Sequence, residues 1–184
     1  MESKILYFGY GANRDPKMME WITGNKNLLG KPGILKGYAL CVQRKDQVPD
    51  EILPTAPAPL SARRLLDNWP ETFESYTIKK DPNQEVYGTI WVLTPQEREL
   101  VRDWELLDFG WYKDIAAKAQ AEDGQVLDVQ TEGMRDDQEF DREVDGKNYE
   151  TWLQPSEDFK RIATKSRQEY FVRMEGSAKT LEKV

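Results

Sequence analysis

The sequence predicts an α+β fold, a small mixed β-barrel with flanking helices. Short apolar, β-branched or aromatic segments recur along the chain and outnumber the helical patterns. The few helical patterns fall between them without regular alternation, and long polar loops join the elements. A doubly wound sheet requires strand and helix to alternate, so that architecture is disfavoured. The length, 184 residues, fits one domain over 1–184, with a tail from about residue 175 expected to be loosely held.

The first element is the apolar strand Lys4 to Gly9, ending in the loop Gly9-Tyr10-Gly11-Ala12-Asn13. Asp15-Pro16 then reads as a helix start, with proline at the first helical position. Met18, Met19 and Ile22 form the buried face of that helix, and Gly24-Asn25 ends it. Lys31-Pro32-Gly33 reads as a turn before a strand from Ile34 to Gln43. Four prolines between Val48 and Leu60 predict an extended surface loop, followed by a short helix in SARRLLDNW. Phe73 to Lys79 alternates like a strand, Asp81-Pro82-Asn83 is a turn, and Val86 to Leu93 is a strand apolar enough for burial on both faces.

Thr94-Pro95 opens the best-marked helix. Thr94 is its N-cap, Pro95 sits at N1, and Glu97 at N3 completes a capping box. Leu100, Val101, Trp104 and Leu107 form its apolar stripe, and Gly110 lies beyond its end. Trp111 to Lys118 and Val126 to Gln130 are strands around an Asp123-Gly124 turn. Residues 132–148 are acidic and polar and read as a loop or irregular hairpin. Pro155 to Met174 is a helix with Phe159, Ile162 and Phe171 turned inward.

Composition narrows the chemistry. The chain has no histidine, which removes imidazole bases, Ser-His-Asp triads, Cys-His dyads and His-bearing zinc sites. The lone cysteine, Cys41, makes neither an internal disulfide nor a Cys-rich metal site. No metal and no cofactor is expected. Proton transfer in any enzyme of this composition falls to Asp, Glu, Lys, Tyr or Cys41, and a carboxylate with a raised pKa is the commonest solution. The net charge of −7, without a basic stripe, argues against a nucleic-acid partner. No apolar run reaches bilayer length and no secretory signal is evident, so a cytoplasmic location without membrane association is expected.

Two segments carry candidate chemistry. Tyr7-Phe8-Gly9-Tyr10-Gly11-Ala12-Asn13 is a glycine-bracketed strand-to-helix loop. Such a loop can aim backbone N–H groups into one concavity and hold a carboxylate or a carbonyl oxygen. It can equally be a tight turn in which glycine supplies positive φ, and by spacing alone that plainer reading is the commoner. The second segment runs from Arg102 to Tyr112. Its Glu105 follows Trp104 on the apolar stripe, where aromatic surroundings would desolvate a carboxylate and suit it to acid/base work. The competing reading is a solvated glutamate at a helix end, the usual situation of helical glutamates.

Together the segments resemble the γ-glutamylcyclotransferases and AIG2-like proteins. FGYGAN is similar to that family's FAYGSN signature. Val86 and Gly88, Asp103 and Glu105, and Gly110, Tyr112 and Lys113 match its second signature, and Pro155-Ser156 is a weaker third match. The resemblance covers roughly residues 4 to 170 and implies a compact mixed barrel with a single cavity. It implies an intramolecular aminolysis of a γ-glutamyl amide that yields 5-oxoproline and a free amine or amino acid. Glu105 would be the catalytic acid/base. Tyr7, Phe8, Gly9, Tyr10, Gly11, Ala12, Asn13 and the hydroxyl of Tyr112 would form the substrate site. The substrate would be a small γ-glutamyl molecule, and no cofactor would be needed. Ala12, Arg14, Leu106 and Phe159 stand where the family commonly has serine, leucine, glycine and tyrosine, and Tyr149 is a further hydroxyl near the expected pocket. A non-catalytic module of the same fold, binding a small carboxylate or a protein, is the alternative.

Overall fold

The computed structural model describes residues 3–181. Its elements are β1 (Ile5–Gly9), α1 (Pro16–Thr23), β2 (Leu29–Arg44), the single-turn α2 (Ala62–Leu65), β3 (Glu74–Leu93), α3 (Pro95–Trp104), β4 (Tyr112–Ala121), β5 (Val126–Met134), β6 (Arg142–Val144) and α4 (Ser156–Leu181). The strands run in the order β3-β1-β5-β4-β2, and β2 pairs back onto β3, which closes a five-stranded barrel. The β1–β5 pairing is parallel and the other pairings in the ring are antiparallel, so the barrel is mixed. The short β6 adds to β2 at Leu40–Val42, outside the ring. No helix among the described residues is long and apolar enough to cross a membrane.

Local signals account for the helices. Asp15 accepts a hydrogen bond from the Lys17 amide at 2.7 Å, and Gly24 ends α1 in the left-handed region at φ 78°. In α3 the Thr94 hydroxyl accepts from the Glu97 amide while the Glu97 carboxylate accepts from the Thr94 amide. Strand alternation divides the core. Phe8 joins a cluster that takes side chains from all five barrel strands. Its neighbour Tyr7 joins a second cluster, where α1, α3 and α4 cover the barrel.

Several boundaries differ from the sequence reading. Lys31-Pro32-Gly33 is not a turn but part of β2, paired with Ile90, Thr89 and Gly88. Proline's fixed φ is compatible with extended backbone, and Pro32 precedes the Gly33–Leu35 pairing with β4, where its missing N–H leaves no gap in that ladder. Asp81-Pro82-Asn83 does not separate two strands. The segment bulges from one continuous strand, with residues 81–84 of β3 opposite Gly37 alone on β2. The Asp81 carboxylate accepts from the Asn83 amide at 2.9 Å, so the turn chemistry is present but chain direction is kept. Residues 132–134 belong to β5 rather than to a loop, and 142–144 form β6. Phe171 is exposed rather than buried, and α4 continues to Leu181.

The cap on α3 is testable. Thr94→Ala removes one partner of the capping box and should lower unfolding stability by about 1 kcal/mol. The change should appear as a lower denaturant midpoint with an unchanged m-value.

Candidate active site

The site begins where β1 ends. A Cβ on Gly9 would lie 2.4 Å from the Asn13 carbonyl oxygen, and one on Gly88 would lie 2.4 Å from the Gly9 carbonyl oxygen. Glycine is therefore required at both positions for β1, β3 and the loop to approach so closely. The glycines of the two signature segments thus meet in space. Gly11 opens a short 3-10 turn, Gly11–Arg14, at φ 58°, with its α-carbon against the Tyr76 ring.

Asn13 fastens this loop. The Trp91 indole donates to its carbonyl at 2.8 Å. Its side-chain nitrogen Nδ2 donates to the Tyr7 hydroxyl at 2.9 Å and to Glu105 Oε1 at 2.6 Å. Glu105 caps the C-terminus of α3, and its amide bonds the Val101 carbonyl at 2.9 Å. The next residue, Leu106, is in the left-handed region at φ 53°, the only non-glycine with positive φ among the described residues. A side chain there costs roughly 1–2 kcal/mol that glycine would not. That strained residue turns the chain sharply and leaves the half-buried Glu105 carboxylate facing inward.

Glu105 lies on a cavity of about 120 Å³. Tyr10, Gly11, Ala12 and Asn13 line it opposite α3, and a second carboxylate, Glu132 of β5, reaches it from below. Glu132 is 2% exposed. It accepts a short hydrogen bond from the Tyr7 hydroxyl, and its main-chain carbonyl accepts from the Tyr10 hydroxyl at 2.9 Å. Arg98, equally buried on α3, forms an ion pair with Glu132 at 3.5 Å and one with Asp114 at 3.0 Å. A hydrogen-bonded chain thus runs from Glu105 through Asn13 and Tyr7 to Glu132, with Arg98 behind it.

Both carboxyls are shifted upward. Burial raises Glu105 well above the ordinary glutamate range and the Glu132 charge raises it further, against the Asn13 hydrogen bond and the Arg98 charge. Burial also raises Glu132, but Arg98 and the Tyr7 hydrogen bond oppose the shift. Glu132 therefore ionises first, and Glu105 keeps its proton to higher pH. Burial and the Glu132 charge push the Tyr7 phenol well up, so it stays a proton donor.

The sequence-predicted residues divide accordingly. Tyr10, Gly11, Ala12, Asn13 and Glu105 share the cavity wall. Tyr7 stands behind it and acts on Glu105 through Asn13. Phe8 points into the barrel cluster, and Gly9 contributes close packing. Tyr112 is buried, stacks on Trp111 at 4.5 Å between ring centres, and bonds the Ser75 hydroxyl at 3.2 Å. Ser75, not Tyr112, meets the cavity. Tyr149 lies beside the loop, accepting from the Gly11 amide at 3.3 Å.

Glu132 and Arg98 are absent from the sequence reading, although signals for both exist. A hairpin centred on residue 123 that begins at Tyr112 extends by symmetry to residue 134, which puts Glu132 on the strand. Arg98 and Glu105 are seven residues apart, two helical turns, and so share one face of α3.

Comparison with known proteins fits this architecture. No family model matches the sequence, and no curated protein matches it. Solved structures do match. Uncharacterized protein loc79017 from Homo sapiens superposes with a TM-score of 0.58 at 17% identity, covering 91% of this chain and 80% of that one. A structure described as gamma-glutamyl cyclotransferase superposes with a TM-score of 0.57 at 16% identity, covering 96% of this chain and 86% of that one. The chain has the γ-glutamylcyclotransferase-like fold.

The carboxylate pair makes a direct prediction. Glu132→Gln removes the negative charge beside Glu105 and should lower the pKa of Glu105. By NMR titration or by a pH–rate profile, ionisation of Glu105 should move toward ordinary glutamate values. An unmoved or raised midpoint would contradict this electrostatic account.

Proposed function

We propose that the protein is a γ-glutamyl cyclotransferase. It closes a γ-glutamyl amide onto its own α-amine, forming 5-oxoproline and releasing an amine or amino acid. One observation carries the reading. Glu105, a half-buried carboxyl with a raised pKa, faces the Tyr10–Asn13 loop across one cavity and is held there by Asn13. The fold shared with a structure described as gamma-glutamyl cyclotransferase supports it.

The reaction suits a site with no imidazole. The substrate brings its own nucleophile, and intramolecular attack removes the entropic cost of joining two molecules. Ionised Glu105 takes a proton from the substrate α-ammonium. The freed nitrogen attacks the γ-carbonyl carbon, and the new C–N bond closes the five-membered ring. The bond to the leaving nitrogen breaks as Glu105 returns the proton to it. In this reading main-chain N–H groups of the Tyr10–Asn13 loop would donate to the carbonyl oxygen as negative charge develops on it. Asn13 and Tyr7 orient Glu105. Phe8 and Gly9 shape the loop, and Tyr112 supports the wall at Ser75.

The raised pKa brings the carboxylate closer to the amine it must deprotonate, which favours proton transfer. It also sets the pH dependence. The base form is lost as pH falls through that raised value, so activity should decline on the acid side well above the ordinary glutamate pKa of about 4.3.

The test is incubation with a panel of γ-glutamyl peptides and γ-glutamyl amines, with detection of 5-oxoproline. Absence of product from every member would sink the proposal. Glu105→Gln should reduce turnover by about 10²-fold or more. The same variant should melt higher at alkaline pH. A carboxyl whose folded pKa exceeds its unfolded value loses folding stability as pH rises between the two, and a neutral amide escapes that loss. The gain should therefore be larger in thermal melts at pH 8 than at pH 5.

A further inference from the structure

The cavity wall has two unlike parts. One comprises the Tyr10–Asn13 loop, Glu105, Glu132 and Ser75. In the other, Trp69 gathers an aromatic cluster, with ring centres 4.7 Å from Phe73, 6.3 Å from Trp104 and 4.9 Å from Phe159. All four rings border the cavity. A γ-glutamyl group held at the polar part would direct its leaving group along this aromatic wall.

The charges along that wall are already matched. The two cations on the cavity wall among the described residues are Lys165 and Arg173. Lys165 pairs with Glu169 at 3.7 Å, and Arg173 forms a short ion pair with Asp103. Glu169 and Asp103 are themselves wall residues. Arg14, near the loop, directs its donors to the Thr151 hydroxyl and the Tyr149 carbonyl. A leaving group bearing a carboxylate, as every amino acid does, would have to break an ion pair to find a partner. It would also bring a negative charge toward Glu105 and Glu132.

We infer that the leaving group is a large aromatic amine without a carboxylate, so that the substrate is a γ-glutamyl arylalkylamide rather than a γ-glutamyl amino acid. The inference rests on the cyclotransferase reading. The atoms balance as before: the α-nitrogen replaces the amide nitrogen at the γ-carbon, and the proton it loses ends on the departing arylalkylamine.

Three probes separate the possibilities: γ-glutamyl-phenethylamide, γ-glutamyl-phenylalanine and γ-glutamyl-methylamide, each followed by 5-oxoproline release. The first and second differ only in the carboxylate, and the first and third in the aromatic arm. The phenethylamide should exceed each of the others in kcat/KM by about tenfold or more, the scale on which a shaped pocket discriminates. Equal or faster turnover of γ-glutamyl-phenylalanine overturns the charge argument, and equal turnover of the methylamide overturns the aromatic one. Either result leaves the cyclotransferase reading standing. No 5-oxoproline from any probe, or from the wider panel, overturns that reading and the inference with it. Trp104→Leu, at a half-buried ring, should shrink the ratio of phenethylamide to methylamide turnover. An unchanged ratio in a folded variant would show that the leaving group lies elsewhere.

Discussion

Asn13 holds the site together. Its carbonyl is tied to the barrel wall by Trp91, and its side-chain amide bridges Tyr7 on β1 and Glu105 at the end of α3. A strand, a loop, a barrel wall and a helix terminus are thus set by one buried residue, 4% exposed. Its position depends in turn on the absence of a side chain at Gly9, where a Cβ would collide with the Asn13 carbonyl. The barrel supplies the rigidity. β3 pairs with β1 on one edge and β2 on the other, so Trp91 does not shift independently of the ring it closes.

A second constraint is electrostatic. Two carboxyls and one guanidinium share a poorly solvated region, and the cation stands closer to Glu132 than to Glu105 in its effect. Arg98 and Tyr7 stabilise the Glu132 anion, and that anion discourages ionisation of Glu105. The arrangement resembles other sites in which paired carboxyls are driven apart in pKa, one ionising well before the other. It is unfavourable for folding, as sites with buried unmatched charge usually are. The strained φ at Leu106, beside Glu105, is a second unfavourable feature at the same place.

Much of this was legible in the sequence where the governing interactions are local. Asp15-Pro16, Gly24, and Thr94-Pro95 with Glu97 announce helix ends because caps act within a few residues. The Glu105 and Tyr7–Asn13 segments stand out through their joint resemblance to known signatures, since each alone has a plainer reading. Pro32 and Asp81-Pro82-Asn83 misled because turn chemistry was present without a turn. Strand pairing across the barrel outweighed the local preference and absorbed the second as a bulge. Glu132 escaped because it lies in an acidic stretch, and its burial follows from β5 reaching Met134 opposite Tyr112.

The sequence alone narrowed the chemistry open to the chain. Without histidine, and with a single cysteine, any proton transfer is left to Asp, Glu, Lys, Tyr or Cys41, and the resemblance to known signatures points to Glu105 among them. It also determined the fold class, because strand and helix patterns are properties of neighbouring residues. The tertiary structure decided what surrounds that carboxylate: Asn13 from 92 residues away in the chain, Glu132 and Arg98 behind it, and an aromatic wall with balanced ion pairs. The pKa and shape of a site are set by which groups approach through space. Contacts between residues distant in the chain leave no period and no spacing to read.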